Sequence, residues 1–201
     1  MNLIIATHNR DKLVEIRASF EVAHLHVLGA DDVHLPEVEE DGETLEANAI
    51  KKAMSAARAT GCWALSDDTG LEVDALDGAP GVYAARYSGE GATYASNVAK
   101  LLKELDGVED RTAKFRTVVA LCSPSGDARV VDGSCRGRIA RAASGDQGFG
   151  YDPVFIPDGE NRSFAEMTLE EKKAISHRGR AVRAAHDAWA DFLAAHPADW
   201  S

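Results

Sequence analysis

Hydrophobic positions recur with helical spacing in some stretches of the chain and form unbroken apolar runs in others. An apolar run at residues 2–6 predicts a buried strand, and apolar residues three or four positions apart predict a helix over residues 11–22. Similar spacing predicts a second helix over residues 44–60, which Gly61 would end. The beginning of the chain therefore predicts one strand followed by two helices.

The next stretch, "CWALSDDTGLEVDALDGAPG", starts with an apolar strand predicted over residues 62–65. Two adjacent aspartates, Asp67 and Asp68, close this strand. A further strand is predicted over residues 71–76, and the "DGAPG" that follows is typical of a turn. The paired carboxylates are thus predicted to stand at the end of a strand.

The rest of the chain predicts one helix, a hairpin and two more helices. Helical spacing covers residues 94–105, and two long strands at 113–123 and 128–140, separated by "PSGD", predict an antiparallel hairpin. Thr168 begins a capping box for a short helix, and a last helix is predicted over residues 178–196. Early alternation of helices and strands with a later hairpin predicts a single α/β domain around a mixed sheet.

Composition and charge narrow the range of partners. The chain has 201 residues and a formal net charge of −11, which repels nucleic acids and anionic membranes. No apolar run approaches the ~20 residues of a membrane span, and the first residues lack the pattern of a secretory signal. Three cysteines without C-x-x-C spacing indicate neither disulfides nor a zinc site. We therefore expect a cytoplasmic protein, in which a polyanionic ligand would need locally concentrated cations.

A polar segment connects the first predicted strand to the first helix. It consists of Thr7, His8, Asn9, Arg10, Asp11 and Lys12. Backbone N–H groups and the helix dipole at such a junction favour an anion, and Lys12 adds a charge suited to phosphate. The P-loop pattern GxxxxGK[ST] is absent from the chain. The alternative is an ordinary capped helix with Asn9 as its N-cap.

Two acidic pairs, Glu39-Glu40 and Asp67-Asp68, are candidate metal ligands. Mg²⁺ prefers carboxylate oxygens and commonly bridges them to substrate phosphates. A carboxylate beside the ion can also orient or deprotonate an attacking water. The alternative, a set of solvated surface acids, is weakest for Asp68, which follows an apolar strand and lies beside Gly70. If the fold brings the two acidic pairs close together, they would therefore indicate a magnesium site.

Two later segments contain candidate binding residues. In "QGFGYDP", glycines flank Phe149, whose ring could stack on a planar base or else fill the core beside a tight turn. Lys172 and the "SHRG" segment at residues 176–179 concentrate cations near a helix start, with Ser176 as N-cap. The chain lacks the H-E-x-x-H and G-x-S-x-G patterns, which disfavours a zinc protease and a serine hydrolase.

Four segments in order resemble the signature segments of the inosine/xanthosine triphosphate pyrophosphatase family. They are "ATHNRDKLVEI", "SDDTGLEVDALDGAPGVYAARYSG", "GFGYDP" and "EEKKAISHRGRA". The resemblance extends from Leu3 to the last predicted helix, and the shared order and spacing make it specific. It implies a two-lobed α/β fold around a long mixed sheet flanked by helices, with the active site in the cleft between the lobes. It also implies a homodimer.

The resemblance implies Mg²⁺-dependent hydrolysis of ITP, dITP and XTP to the monophosphate and pyrophosphate. It assigns the metal to Glu39 and Asp68, and it makes Asp68 the proton acceptor, aimed at metal and water by the end of its strand. It assigns triphosphate binding to the polar segment at residues 7–12. The other implied substrate-binding residues are Thr69, Phe149, Gly150, Tyr151, Asp152, Lys172, His177 and Arg178.

Several alternatives remain open at this point. The segment around Glu39 matches the family loosely, so Glu40 is the alternative metal ligand, and His8 stands where family members often carry glycine. Donors from Arg178 and the backbone would favour the 6-oxo group of hypoxanthine and xanthine over the 6-amino group of adenine. The other possible functions are a pyrophosphatase for other modified nucleotides and a nucleotide sensor without turnover.

Overall fold

The computed structural model describes residues 2–17, 20 and 25–195, without the side chains of residues 15 and 194. Its helices are α1 (Arg10–Arg17), α2 (Leu45–Thr60), α3 (Tyr94–Glu104), α4 (Leu169–Ile175) and α5 (His177–Ala195). Its strands are β1 (Asn2–Ile5), β2 (His26–Leu28), β3 (Trp63–Val73), β4 (Pro80–Gly81), β5 (Thr112–Cys122), β6 (Ala128–Ile139) and β7 (Phe155–Pro157). Within these described residues, no helix has the length and apolar composition needed to cross a membrane.

The strands form one mixed sheet in the order β2-β1-β3-β5-β6-β7, and β4 pairs with β3. β1 is parallel to both of its neighbours, with Leu3 opposite Val27 on β2 and Trp63 on β3. β3 and β4 are antiparallel, as are β6 and β7. Parallel neighbours need long crossover connections, which here contain α1 and α2. The mixed α/β fold expected from the sequence is confirmed.

The predicted hairpin is also present. β5 and β6 are neighbours in the sheet. Ser123 N donates to Asp127 O at 2.9 Å beside the turn, and Ile139 N donates to Arg111 O at 2.9 Å at the other end. The two bonds join the neighbouring ends of β5 and β6, as an antiparallel hairpin requires.

The paired aspartates lie inside a strand, which corrects the prediction that they end one. β3 is 11 residues long and runs through Asp67 and Asp68. It includes part of the strand predicted over residues 71–76. The remainder, Asp74–Leu76, forms a 3₁₀ turn. The chain stays extended because β1 pairs with the first part of β3, and β4 pairs with the second part at Leu71. Pairing with other strands therefore decides the length of this strand.

The helix boundaries follow local capping rules. The Thr44 side chain accepts a hydrogen bond from Ala47 N at the start of α2, and Gly61 ends that helix with φ of 69°. This left-handed conformation suits glycine because it has no Cβ. α1 ends at Arg17, and its predicted continuation at residues 18, 19, 21 and 22 lies outside the described residues. The predicted end of the last helix at residue 196 also lies outside them.

The chain divides into two compact units, each with its own core. Unit 1 comprises the described residues within Met1–Asp68, Thr117–Gly133 and Arg180–Ser201, and unit 2 comprises Thr69–Arg116 and Ser134–Gly179. The core of unit 1 includes Ile5, Leu65 and Trp189. Three phenylalanines, Phe115, Phe155 and Phe164, lie in the core of unit 2. Candidate functional residues fall in both units.

Candidate functional site

Two buried aspartates of β3 are at the centre of a polar cluster in unit 1. Successive side chains of a strand point to opposite faces, so Asp67 and Asp68 have different partners. Lys12 Nζ lies 3.2 Å from Asp67 Oδ2. Asn48 Nδ2 donates to Asp68 Oδ2 at 3.1 Å. One carboxylate thus contacts the polar segment that begins α1, and the other contacts α2.

Lys52 of α2 joins Asp68 to Glu40. Its Nζ lies 2.6 Å from Glu40 Oε1 and 3.4 Å from Asp68 Oδ1. Asn48 and Lys52 are four residues apart, so one face of α2 presents an amide and an ammonium group to the same carboxylate. The Lys52 side chain is 14% exposed, so solvent screens its charge weakly. The result is an acid pair held by one buried cation.

Burial and neighbouring charges shift the pKa of these groups. Burial raises the pKa of Asp68 and Glu40 raises it further, while nearby lysines act in the opposite direction. For Lys52, burial alone would lower the pKa, but the neighbouring carboxylates outweigh it and the pKa is raised. The lysine therefore stays charged near neutral pH, and Asp68 is a stronger base than a solvated aspartate.

The geometry favours Glu40 over Glu39 as the partner of Asp68. Glu39 is exposed, and its backbone oxygen accepts a hydrogen bond from Lys51 Nζ at 2.9 Å. Mg²⁺ is usually held by one or two carboxylates together with substrate phosphates and water, so the carboxylates of Glu40 and Asp68 fit it. Among the described residues, no group of three or more acids, histidines or cysteines could hold a metal ion. Phosphate and water oxygens would therefore complete the coordination shell.

The contacts of the polar segment at residues 7–12 mainly stabilise the start of α1. Asn9 Oδ1 accepts from Asp11 N at 2.9 Å and from Lys12 N at 3.2 Å, so the alternative of an Asn9 N-cap is present. Thr7 Oγ1 accepts from Asn9 N at 3.2 Å. The first backbone donors of the helix are thus already bound. Lys12 is the residue of this segment that contacts the buried acids.

The remaining predicted residues of this segment lie at the surface. Arg10 is exposed and forms an ion pair with Asp31 at 3.3 Å. His8 and Asp11 are exposed as well. Within the described part of the chain, none of the three contacts Asp68. The structure therefore brings Lys12 to the acidic cluster without them.

A buried ion pair supports the glycine-rich loop of unit 2. Lys172 Nζ lies 2.7 Å from Asp152 Oδ2, and the same oxygen accepts from Phe149 N at 2.8 Å. Gly148 has φ of 72°, and a Cβ at this position would lie 2.1 Å from Asp152 Oδ2. The close approach explains why the turn needs glycine. Asp152 thus fixes the conformation of the loop that carries Phe149.

Phe149 is half-buried and has two cations beside its ring. Lys172 Nζ lies 4.9 Å and the Arg178 guanidinium carbon 5.2 Å from the ring centroid, within the range of cation–π contacts. Arg178 is buried and donates to Thr69 Oγ1 at 3.3 Å. The Tyr94 ring lies 5.9 Å from the Phe149 ring, centroid to centroid. Unit 2 therefore brings several predicted substrate-binding residues around one aromatic ring.

The other predicted residues of unit 2 have structural partners. The buried His177 ring stacks on Phe115 with a centroid distance of 4.3 Å and an interplanar angle of 17°. The Tyr151 hydroxyl donates to Ala84 O at 2.8 Å. Gly150 has φ of 65°, which again suits glycine. These contacts hold the loop and the first residue of α5 in position.

Three residues of the two clusters escaped the sequence reasoning. They are Asn48, Lys52 and Tyr94. The segment "ANAIKK" offered one signal, because helical spacing places Asn48 and Lys52 on one face. Tyr94 offered none, since its contact with Phe149 joins residues that are distant in sequence.

A separate cavity of about 480 Å³ in unit 2 contains none of the candidate residues. Residues 109–112 and 138–141 line it together with Ile156. Arg141 forms an ion pair with Glu109 there, at 2.9 Å. The cavity therefore does not change the assignment of the site.

Comparison with known proteins places this geometry in a family. A sequence profile of the Ham1 family matches residues 3–188. The dITP/XTP pyrophosphatase of Geobacter sulfurreducens is 52% identical over 183 residues, which cover 90% of this chain and 92% of that protein. A solved HAM1 protein from Coxiella burnetii has a TM-score of 0.88 at 37% identity, covering 95% of this chain and 99% of that one. A solved nucleoside-triphosphatase, or dITP/XTP pyrophosphatase, from Mycobacterium abscessus has a TM-score of 0.75 at 43% identity, covering 92% and 98%. The resemblance of the four sequence segments is thus confirmed, and the chain belongs to the Ham1 family.

Proposed function

We propose that this protein hydrolyses non-standard purine nucleoside triphosphates, namely ITP, dITP and XTP, to the monophosphate and pyrophosphate. Such an activity keeps deaminated purines out of the nucleotide pool. The observation that carries the proposal is the acid pair of Glu40 and Asp68 joined by Lys52, in a family whose members include dITP/XTP pyrophosphatases. A protein that only bound a polyanion would gain nothing from buried carboxylates unless a metal ion intervened.

Cations near the acid pair would hold the triphosphate. Mg²⁺, bound by Glu40 and Asp68, would supply additional positive charge on the phosphate oxygens. Lys12 and Lys52 provide two cations in a chain whose net charge is −11. Charges fixed in advance stabilise the negative charge that develops on the phosphates as the bond breaks. The unit 1 cluster would therefore bind and polarise the triphosphate.

Asp68 would accept a proton from the attacking water. The water oxygen forms a bond to the α-phosphorus, the bond from this phosphorus to the bridging oxygen breaks, and pyrophosphate leaves with that oxygen. The raised pKa of Asp68 makes it a stronger base than a solvated aspartate, which suits it to take the proton. Asn48 holds the Oδ2 atom of Asp68 and thereby orients the carboxylate.

The aromatic loop of unit 2 would bind the base. Phe149 offers a ring for stacking, and Arg178 offers donors for the 6-oxo group of hypoxanthine or xanthine. The 6-amino group of adenine would face these donors without a hydrogen bond, which costs about 1–3 kcal/mol for a buried donor. The arrangement thus supports discrimination against ATP.

We also propose that the protein is a homodimer and acts in the cytoplasm. The family resemblance suggests the dimer, and sedimentation would test it against the 21.5 kDa mass of one chain. Within the described residues, Cys62, Cys122 and Cys135 form no disulfide bond, which suits a reducing compartment.

A panel of nucleotides tests the function directly. Pyrophosphate release is measured with ITP, dITP, XTP, GTP and ATP in the presence of Mg²⁺ and again after chelation with EDTA. We expect strong release from the first three, weak release from GTP and ATP, and loss of activity with EDTA. Equal turnover of all five would contradict the substrate preference, and activity in EDTA would contradict the role of Mg²⁺.

The two alternatives give different results in the same panel. Release from modified pyrimidine nucleotides with none from ITP would favour a pyrophosphatase of different specificity. Binding of ITP without pyrophosphate release would favour the sensor.

A further inference from the structure

Asn48 of α2 joins the loop that carries Glu40 to the carboxylate of Asp68. Its Nδ2 atom donates to Asp68 Oδ2 at 3.1 Å, and its Oδ1 atom accepts from Gly42 N at 2.8 Å. Gly42 follows Glu40 by two positions in the chain. Asn48 is 1% exposed, so both bonds are shielded from water. One buried amide group therefore bridges the two elements that present the proposed metal ligands.

Both ends of the Asn48 amide face a partner of the matching kind. An asparagine side chain has a carbonyl oxygen that accepts and an amino group that donates. The Gly42 N–H group is a donor and the Asp68 carboxylate is an acceptor, so turning the amide over would break both bonds. An aspartate at residue 48 would keep the acceptor for Gly42 but would turn a second carboxylate toward Asp68. The bridge therefore needs the amide of asparagine.

Gly42 allows the loop to approach α2 this closely. A Cβ at residue 42 would lie 2.5 Å from Asn48 Oδ1 and 3.1 Å from the Cβ of Ala47. The first distance is far shorter than a van der Waals contact, so a side chain here would displace the amide or the loop. The glycine and the asparagine thus depend on each other.

A second contact between α2 and the same loop lies at the surface. Lys51 Nζ donates to Glu39 O at 2.9 Å and to Asp41 Oδ1 at 2.6 Å, but its side chain is 43% exposed. Exposed ion pairs are weak, because solvent screens the charges and ordering two long side chains costs entropy. The short, buried side chain of Asn48 therefore fixes the loop more firmly than this contact does.

We propose that Asn48 is a positioning residue that holds Glu40 and Asp68 in place as a pair before Mg²⁺ binds. The inference rests on the proposed function, in which these two carboxylates bind the ion. Hydrogen-bond partners of metal-binding carboxylates orient them, and the loss of such a partner typically costs about 10- to 100-fold in metal affinity or activity. Asn48 acts through the two acids, so its loss should affect kcat and the Mg²⁺ requirement more than the KM for ITP.

Four variants test this role. Asn48→Ala removes both bonds, Asn48→Asp keeps only the acceptor for Gly42, and Gly42→Ala displaces the amide. Ser66→Ala is the control, because Ser66 Oγ donates to Ala49 O at 2.9 Å and forms another buried bond between β3 and α2. The activity measurements are kcat and KM for ITP and the Mg²⁺ concentration needed for half-maximal activity. Hydrogen exchange of the Gly42 amide and the melting temperature are measured without Mg²⁺ or nucleotide.

The variants should separate the two halves of the bridge. We expect Asn48→Ala to lower kcat and to raise the half-maximal Mg²⁺ concentration, each roughly 10- to 100-fold, with the KM for ITP within about 3-fold of the wild type. Exchange of the Gly42 amide should become about 10-fold faster in Asn48→Ala and stay slow in Asn48→Asp. Asn48→Asp should still lose activity, because its carboxylate repels Asp68. Gly42→Ala should lower kcat roughly 3- to 10-fold, and Ser66→Ala should hydrolyse ITP like the wild type.

The outcomes distinguish a failure of this role from a failure of the proposed function. If the wild type hydrolyses ITP and Asn48→Ala keeps its kcat and Mg²⁺ requirement, the role of Asn48 is overturned and the proposed function stands. Equal losses of activity and melting temperature in Asn48→Ala and Ser66→Ala would show a general loss of packing, which also overturns the role. Full activity of Asn48→Asp would overturn the link to Asp68. A wild type that does not hydrolyse ITP would remove the proposed function and this role together, and the exchange of Gly42 would still decide whether the bridge exists.

Discussion

Asp68 in unit 1 and Asp152 in unit 2 are both buried acids with a lysine beside them, but the charges around them are balanced differently. In unit 1, Lys52 contacts both Glu40 and Asp68. In unit 2, Lys172 contacts the carboxylate of Asp152, and the buried Arg178 also lowers the pKa of that group. Acids therefore exceed cations around Lys52, whereas the pair in unit 2 is neutral as a whole.

This difference distinguishes the proposed cation site in unit 1 from the ion pair in unit 2, which has a structural role. Glu40 raises the pKa of Asp68 beyond the effect of burial, which means that like charges repel in the folded protein. For Asp152, burial raises the pKa and every other contribution opposes the shift. Lys52, Lys12 and Asn48 oppose the repulsion around Asp68. A buried acid whose pKa is raised among several charged groups is typical of functional sites. The first cluster therefore supports the proposed metal site, and the second holds an aromatic loop in place.

Asp68→Asn should produce the largest effect. The variant loses the proton acceptor and one metal ligand, so we expect kcat to fall by about 10³-fold or more. It also loses a buried charge that Glu40 repels, and we expect the melting temperature to rise by about 2–4 °C. Pyrophosphate release from ITP and thermal unfolding, measured on one preparation, check both. Near-normal turnover would contradict the catalytic role, and a lower melting temperature would contradict the repulsion.

Lys172→Met tests the ion pair that supports the aromatic loop of unit 2. The substitution leaves the Asp152 carboxylate buried without its cation, which costs about 3 kcal/mol of unfolding free energy. The double variant Asp152→Asn, Lys172→Met should recover much of this loss, because neither residue then leaves the charge of the other buried without its partner. Urea unfolding of both variants measures the difference. Equal stability of the single and double variants would show that the pair contributes by packing alone.

The same variant should respond to pH. Lys172 lowers the pKa of Asp152, so its removal leaves the folded pKa further above the unfolded value. A carboxyl group with a raised folded pKa makes the protein less stable as the pH rises through that interval. The deficit of Lys172→Met relative to the wild type should therefore shrink from about pH 8 to about pH 5. A deficit independent of pH would exclude Asp152 as its cause.

The sequence predicts elements whose boundaries depend on neighbouring residues. Thr44 and Gly61 mark both ends of α2, and Thr168 marks the start of α4, because caps act within one turn. β2 and the full length of β3 escaped prediction. β2 and the first part of β3 both pair with β1, which is distant from them in sequence, and no local pattern records this pairing.

The residues of the candidate site divide in the same way, into those that local sequence indicates and those that only the fold identifies. Asp68 and Phe149 stood out from their immediate sequence context. Lys52 did not, because a lysine on an amphipathic helix is ordinary, and its contacts with Glu40 and Asp68 span 12 and 16 residues of chain. Residue type therefore indicated the acids and the ring, and only the fold identified the cation that joins the acids.

Glu40→Gln and Glu39→Gln form a matched pair that tests the assignment of the metal ligand. Glu40 contacts the cation that holds Asp68, whereas Glu39 is exposed. We expect Glu40→Gln to lower kcat/KM roughly 10- to 100-fold and to raise the Mg²⁺ concentration needed for half-maximal activity. Glu39→Gln should stay within about 2-fold of the wild type. The reverse pattern, measured by Mg²⁺ titration of both variants, would return the assignment to Glu39.

Salt concentration should have the smallest effect of these tests. It should weaken triphosphate binding by the unit 1 cluster more than base binding by the aromatic loop of unit 2. A triphosphate brings its charges in from bulk solvent, so its attraction to Lys12 and the other cations of unit 1 is screened by salt. Stacking on Phe149 is largely independent of salt. Between about 50 mM and about 500 mM KCl, the KM for ITP should therefore rise about 3- to 5-fold. The Kd of inosine, which lacks phosphate, should change less than about 2-fold over the same range. Equal salt dependence for both ligands would show that charge also governs base binding, and the division of roles between the two units would fail.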